Sequence, residues 1–195
     1  MATNRGEGWH ITDMAFESAQ QMLMAVEFGT LNIQSALEAG IVNIPNNPSY
    51  NCASITGSTA SLNSYTGHAN STINEINGVR TTYDEAGRRA ISYRGLENPW
   101  GNIWRMIGNA RIIGNGQQQG GYFEDSQRGS YLHFTLPNTS SWISGFGGTN
   151  PNYIFLPIEC SNANSALPVG DYVWTTQNLN GNHVLVVGGA WSFGD

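Results

Sequence analysis

The tightest constraint on the fold is the way glycine cuts up the second half of the chain. After residue 108, apolar and polar positions alternate only in short pieces, "ARIIG", "SYLHFTL", "YIFLP", "DYVWTT" and "HVLVVGGAW", with Gly114, Gly116, Gly120, Gly121, Gly147, Gly148 and Gly181 between them. Alternation of period two marks a half-buried strand, and in "SYLHFTL" Tyr131, His133 and Thr135 alternate against Leu132, Phe134 and Leu136. Pieces this short predict a sheet of short antiparallel strands. The first forty residues carry helical spacing instead. "TDMAFESAQQMLMAVEFG" predicts a helix with Thr12 as N-cap and Gly29 as its stop, burying Ala15, Ala19, Met22 and Val26 together with Phe16 and Leu23. "NIQSALEAG" predicts a second, shorter one, capped by Asn32 and ended by Gly40. The fold class expected is α+β, with two or three helices packed on short antiparallel strands and long Gly/Asn/Ser-rich loops.

The third helix is expected in "YRGLENPWGNIWRM", residues 93 to 106. Asn98 is a suitable N-cap, and Pro99 stands at the first helical position, where its missing N–H costs nothing. Trp100, Ile103, Trp104 and Ile107 then fall at i, i+3, i+4 and i+7, which predicts a buried stripe. With Trp191 they form the expected structural core. Gly101, unfavourable inside a helix, points to another backbone approaching closely at that turn. Arg94, Glu97 and Arg105 are read as an anchoring charge cluster. Residues 43 to 90, rich in Asn, Ser, Thr and Gly, read as a long ordered loop insertion with a short strand pair near Ile73 to Thr82.

At 195 residues the chain is expected to form a single domain over 1–195, large enough to bury a core without a metal or a disulfide framework. Charged residues make up 11% of it, well below the roughly one quarter that is usual, so the polar surface must be mainly amide and hydroxyl. A net charge of -6 with only eight Lys+Arg argues against nucleic-acid binding, which depends on clustered basic residues. Arg88 and Arg89, the one basic pair, lie beside Asp84 and Glu85 and read as a solvated turn. No leader-like apolar segment opens the chain and no apolar run reaches a membrane span, so no membrane insertion is expected.

Cys52 and Cys160 stand outside any metal-ligand or redox spacing, leaving buried thiols, a disulfide between them or a reactive thiol as alternatives. His10, His68, His133 and His183 show no paired spacing, so neither a metal nor a cofactor is expected.

"GLENPWGNIWRM" resembles the glycine- and tryptophan-containing signature of the formylglycine-generating-enzyme-like branch of the C-type lectin fold, and "HVLVVGGAWSFG" resembles that branch's late Gly-Gly-x-Trp strand. The wider run from "WHITDMAFESAQQMLMAVEFGTLNIQSALEAGIV" through "YIFLPIE" resembles phage and prophage virion proteins that use this fold in tail fibres and receptor-binding modules. The resemblance implies a C-type lectin-like fold and a non-enzymatic virion surface protein for host attachment. It would be made in the host cytoplasm and released by lysis. The enzyme branch works through a late cysteine pair, and here no cysteine follows Cys160. Calcium-dependent lectins use Glu-Pro-Asn, whereas Glu97 to Pro99 reads Glu-Asn-Pro, so no calcium site is carried over. In the virion relatives a further stretch follows the Gly-Gly-x-Trp strand. The expectation is therefore that the C-terminal part of the fold is truncated or completed by a partner, with an open edge near Val184 to Val187 inviting strand pairing.

Aromatic residues in the glycine-rich loops, Tyr122, Phe123, Trp142, Phe146 and Tyr153, are the candidate ligand-binding residues, able to stack on a sugar or pack on a neighbouring subunit. Expected partners are further copies of the chain, a trimer among the options, other virion proteins, and a host-surface glycan or protein. The alternative is a purely structural capsid or tail subunit that touches no receptor. Glu124 and Asp125 are the nearest approach to the carboxylate pair a hydrolase needs, but adjacent strand positions face opposite ways. No catalytic residue is assigned.

Overall fold

The computed structural model describes residues 2–44, 52–76, 78–115, 119–125, 130–137, 140–147, 151, 154–161, 171–174 and 180–191. Among these the protein is α+β, with two α-helices and mostly short antiparallel strands. The chain divides into two compact units. One comprises Met1–Asn32 with Met106–Val186, the other Ile33–Arg105 with Val187–Asp195.

The second of these units opens with a single helical turn, α2 (Ile33–Ala36). Five short strands follow: β1 (Gly67–His68), β2 (Thr72–Ile76), β3 (Val79–Tyr83), β4 (Ile91–Tyr93) and β5 (Leu96–Glu97). β2 and β3 form the hairpin expected near Ile73 to Thr82, and β4 lies between β1 and β5. The core collects Ile41, Ile44, Cys52, Ala69 and Ala90, with Tyr83 and Trp191 packed against it.

No helix forms at residues 98–108. Asn98, Gly101 and Asn102 take φ values of 47°, 70° and 62°, left-handed conformations that a right-handed helix does not contain. These turns let amides act as connectors. Asn98 accepts at Oδ1 from the N–H of Ile91 (3.2 Å) and donates its own N–H to the Ile91 carbonyl (2.8 Å). Asn102 donates its N–H to Ile41 (2.7 Å), accepts at its carbonyl from Trp191 (3.1 Å) and accepts at Oδ1 from Ser54 (2.8 Å). The close backbone approach expected at Gly101 is real: a Cβ there would lie 2.8 Å from the Ile41 carbonyl oxygen and 2.9 Å from its nitrogen.

The buried tryptophan stripe expected here is therefore corrected. Trp100 is half-buried and donates from Nε1 to the Glu38 carbonyl (3.1 Å), Ile103 and Trp104 are exposed, and only Ile107 is fully buried. With Trp104 50% exposed, Trp104→Ala should cost only about 1 kcal/mol in urea unfolding, well below a fully buried aromatic. Glu97 anchors a loop, its carboxylate accepting from the N–H groups of Gly57 (3.1 Å) and Thr59 (3.0 Å) and from the Thr59 hydroxyl (3.1 Å). Arg89 is also corrected: it pairs with Glu38 at 2.6 Å, both side chains largely buried, and is no part of a solvated turn. Arg88 does occupy an exposed turn, with Glu85 at 3.0 Å.

The other unit contains α1 (Met14–Phe28) and the strands β6 (Arg105–Asn115), β7 (Gln119–Asp125), β8 (Ser130–Thr135), β9 (Ser141–Phe146), β10 (Pro157–Ser161), β11 (Tyr172–Val173) and β12 (Asn180–Val187). Their ordering is β12-β6-β7-β8 in a four-stranded sheet and β10-β9-β11 in a three-stranded one. Arg105 and Val187, at the ends of β6 and β12, fall in the residues assigned to the other unit.

Asp13 caps α1, its carboxylate accepting from the Phe16 N–H at 2.8 Å, and Gly29 closes it in the left-handed conformation. The expected cap, Thr12, ties the helix to β6 instead: its carbonyl accepts from the Gly108 N–H (2.8 Å), and the Met14 N–H donates to Asn109 Oδ1 (3.1 Å). A side chain at Gly108 would run into Ile11, so this glycine serves close packing within a strand. Tied this way, α1 turns Met14, Glu17, Ser18, Gln20 and Met24 inward. The expected apolar face points out: Phe16, Ala19, Leu23 and Val26 are exposed, Val26 by 84%.

Candidate binding surface

In the three-stranded sheet β9 lies between β10 and β11, both antiparallel to it. Ser141 and Ile143 are buried, so the pleat turns Trp142 between them to the opposite face; beyond Ile143 the register with β10 shifts. The inner side is fastened by the Ser141 hydroxyl, which donates to the Ser161 carbonyl at 2.8 Å, and by the Ile143 N–H, which donates to the Asp171 carbonyl at 3.0 Å.

Register then assembles the outer side. Tyr172 lies directly opposite Trp142, so the two side chains share a face and their rings meet edge to face at 5.2 Å and 87°. Trp174, two residues on, brings its ring to 4.9 Å from Tyr172 at a tilt of 48°. The Tyr172 hydroxyl donates to the Ser140 carbonyl at 3.0 Å, holding the middle ring of the three. Farther along β9, Phe146 meets Phe155 edge to face at 5.5 Å. The result is an aromatic row with Trp174, 71% exposed, at its open end.

Such a row offers flat apolar faces to a ligand that has one apolar side, with the neighbouring backbone already hydrogen-bonded in place. Desolvation pushes the Asp171 carboxyl up to about 6, yet solvent reaches this residue, and the open surface decides: screened by water, the group is an ionised acceptor at neutral pH. Cys160 of β10 is half-buried, and burial pushes its thiol up, which makes it a poor nucleophile. Neither it nor the buried Cys52 forms a disulfide. Among the described residues no group of three His, Cys, Asp or Glu side chains is arranged to hold a metal ion.

Of the aromatic residues singled out in the sequence, Trp142 belongs to this row, while Phe146 lies beyond the register shift and packs on Phe155. Tyr122 and Phe123 occupy consecutive positions of β7 in the other sheet, opposite His133 and Leu132 of β8, and are not part of the row. Glu124 and Asp125 follow on the same strand. Tyr153 lies outside the described residues. Tyr172 and Trp174 were missed, although the Tyr-x-Trp spacing in "DYVWTT" places two aromatics on one face of any strand. No family model matches the chain, and no curated protein or solved structure was found to match it.

Proposed function

We propose that the chain is a non-enzymatic virion surface module of C-type lectin-like fold, and that the row Trp142, Tyr172 and Trp174 contacts the host surface during phage attachment. The observation that carries this reading is the open aromatic face on a hydrogen-bonded sheet, with Trp174 71% exposed. A solvent-facing tryptophan next to two further rings contributes little to a core and much to a contact. The α+β architecture of short antiparallel strands suits the same fold, and no helix among the described residues is long and apolar enough to cross a membrane.

The test is an array of bacterial surface glycans probed with the wild-type chain and with Trp174→Ala. Specific retention that falls at least about tenfold in the variant, with the melting temperature unchanged, supports attachment; tenfold corresponds to about 1.4 kcal/mol, within the range for one stacked aromatic. A second reading, a structural capsid or tail subunit without receptor contact, is favoured by the apolar stripe of α1, which needs protein against it. Absence of retention on every glycan, or equal retention by Trp174→Ala, removes the aromatic row from attachment and puts the structural reading first.

A further inference from the structure

The four-stranded sheet ends on β12, which among the described residues pairs with β6 alone. Among the described residues its outer edge presents a row of backbone N–H and C=O groups, and the chemistry that matches such a row is another extended strand. Natural edges are protected by shortness, lysine, proline or an inward-pointing charge. β12 uses none of these: Asn180–Val187 reads "NGNHVLVV", eight residues without a lysine, a proline or a carboxylate. Val184 and Val186 stand on its outward face, 55% and 43% exposed, while His183, Leu185 and Val187 are half-buried on the other.

We propose that this edge pairs with the β12 of a second copy of the chain, antiparallel about a twofold axis through Leu185, joining two four-stranded sheets into one of eight. A twofold perpendicular to a sheet keeps each face on its own side, so residues opposite one another must come from the same face. That parity leaves few registers. Gly181 and Gly188, with φ of 88° and 92°, bracket the run that can pair. Centring on Leu185 sets Val184 opposite the partner's Val186, Val186 opposite the partner's Val184, and His183 opposite the partner's Val187. Every exposed valine gains a β-branched neighbour and no like charges meet. Centring on Val184 instead sets Val186 against the partner's Asn182, so the chosen register is the self-complementary one. A second copy satisfies the edge from His183 to Val187 with one contact. The inference rests on no part of the attachment reading.

The experiment has two arms. In the first, light scattering on a sizing column should give the wild-type chain a mass of twice its 21.2 kDa, or an even multiple, and Val184→Lys/Val186→Lys should run at half that mass with an unchanged melting temperature. In the second, Val184→Cys and Val186→Cys chains, each also carrying Cys160→Ser, are co-produced with different tags and oxidised. Disulfide-linked pairs should join one tag to the other in several-fold excess over same-tag pairs, because only the mixed combination sets the two cysteines opposite each other. A monomeric wild type overturns the proposal, as does an oligomer that the folded lysine variant leaves intact, or cross-linking without tag preference. Should the lysine variant fail to fold, the tag ratio decides alone.

Discussion

Gly101→Ala should lower the stability of the protein by about 3–4 kcal/mol, seen as a fall of roughly 10 °C in melting temperature for a chain of this length. Two costs add at this position. At φ of 70° an L side chain meets its own backbone, about 1–2 kcal/mol. The new Cβ would also sit 2.8 Å from the carbonyl oxygen and 2.9 Å from the nitrogen of Ile41, and backbone cannot swing aside as a side chain can. Moving the turn away would strain its neighbours, where Gly101 donates to the Gly188 carbonyl at 2.6 Å and Asn102 donates to Ile41. The control is Gly29→Ala, at φ of 66° with nothing within 4 Å of the added carbon, which carries the conformational cost alone, about 1 kcal/mol. Equal losses in the two variants would show that the Ile41 contact does not constrain the fold.

Glu38→Ala should cost about as much, roughly 3 kcal/mol. One carboxylate oxygen of Glu38 accepts from Arg89 Nη2 at 2.6 Å and the other from the Gly87 N–H at 3.2 Å, with the carboxylate side chain only 8% exposed. Truncation strips both donors of their acceptor and leaves a largely buried guanidinium without its counter-charge, which is the expensive half of breaking such a pair. The Nε of Arg89 is already buried without a hydrogen-bond partner, so the group has little in reserve. Replacing both residues, Glu38→Ala with Arg89→Met, should cost less than the sum of the single changes by at least about 1 kcal/mol, because the stranded charge is gone. Strict additivity in urea unfolding would mean that the two side chains do not act as a pair.

The parts of this fold legible in the sequence are those written in local chemistry. The α+β class, the span of α1, the 72–83 hairpin and the close approach at Gly101 all follow from periodicity and from glycine placement. What escaped was decided by contacts distant in sequence. The apolar spacing of α1 by itself points Phe16, Leu23 and Val26 inward, whereas the bonds of Thr12 and Met14 with Gly108 and Asn109 set its rotation and turn them out. Around Trp100 a helical spacing of apolar residues coincided with a segment whose Asn98, Gly101 and Asn102 are all suited to left-handed turns, and three such residues in five positions were the sign against a helix. Trp142 and Phe146 could be picked as aromatic residues in a glycine-rich region. The union of Trp142 with Tyr172 depends on strand register, which no local pattern announces.

The division of the chain into two units also fixes an order of assembly. Residues 1–32 leave synthesis long before residues 106–186, the rest of their unit, and the helix they form is held at its start by partners such as Asn109, 95 positions later. The 33–105 segment likewise receives Trp191, whose carbonyl accepts from Ile44, only after the whole of residues 106–186 has been made. Each unit is thus closed by a segment made well after its first one. Until those segments arrive, a nascent chain must carry the Met14 and Met24 face of α1 and an incomplete core, in the high-contact-order regime where folding is slow and holding chaperones have time to bind.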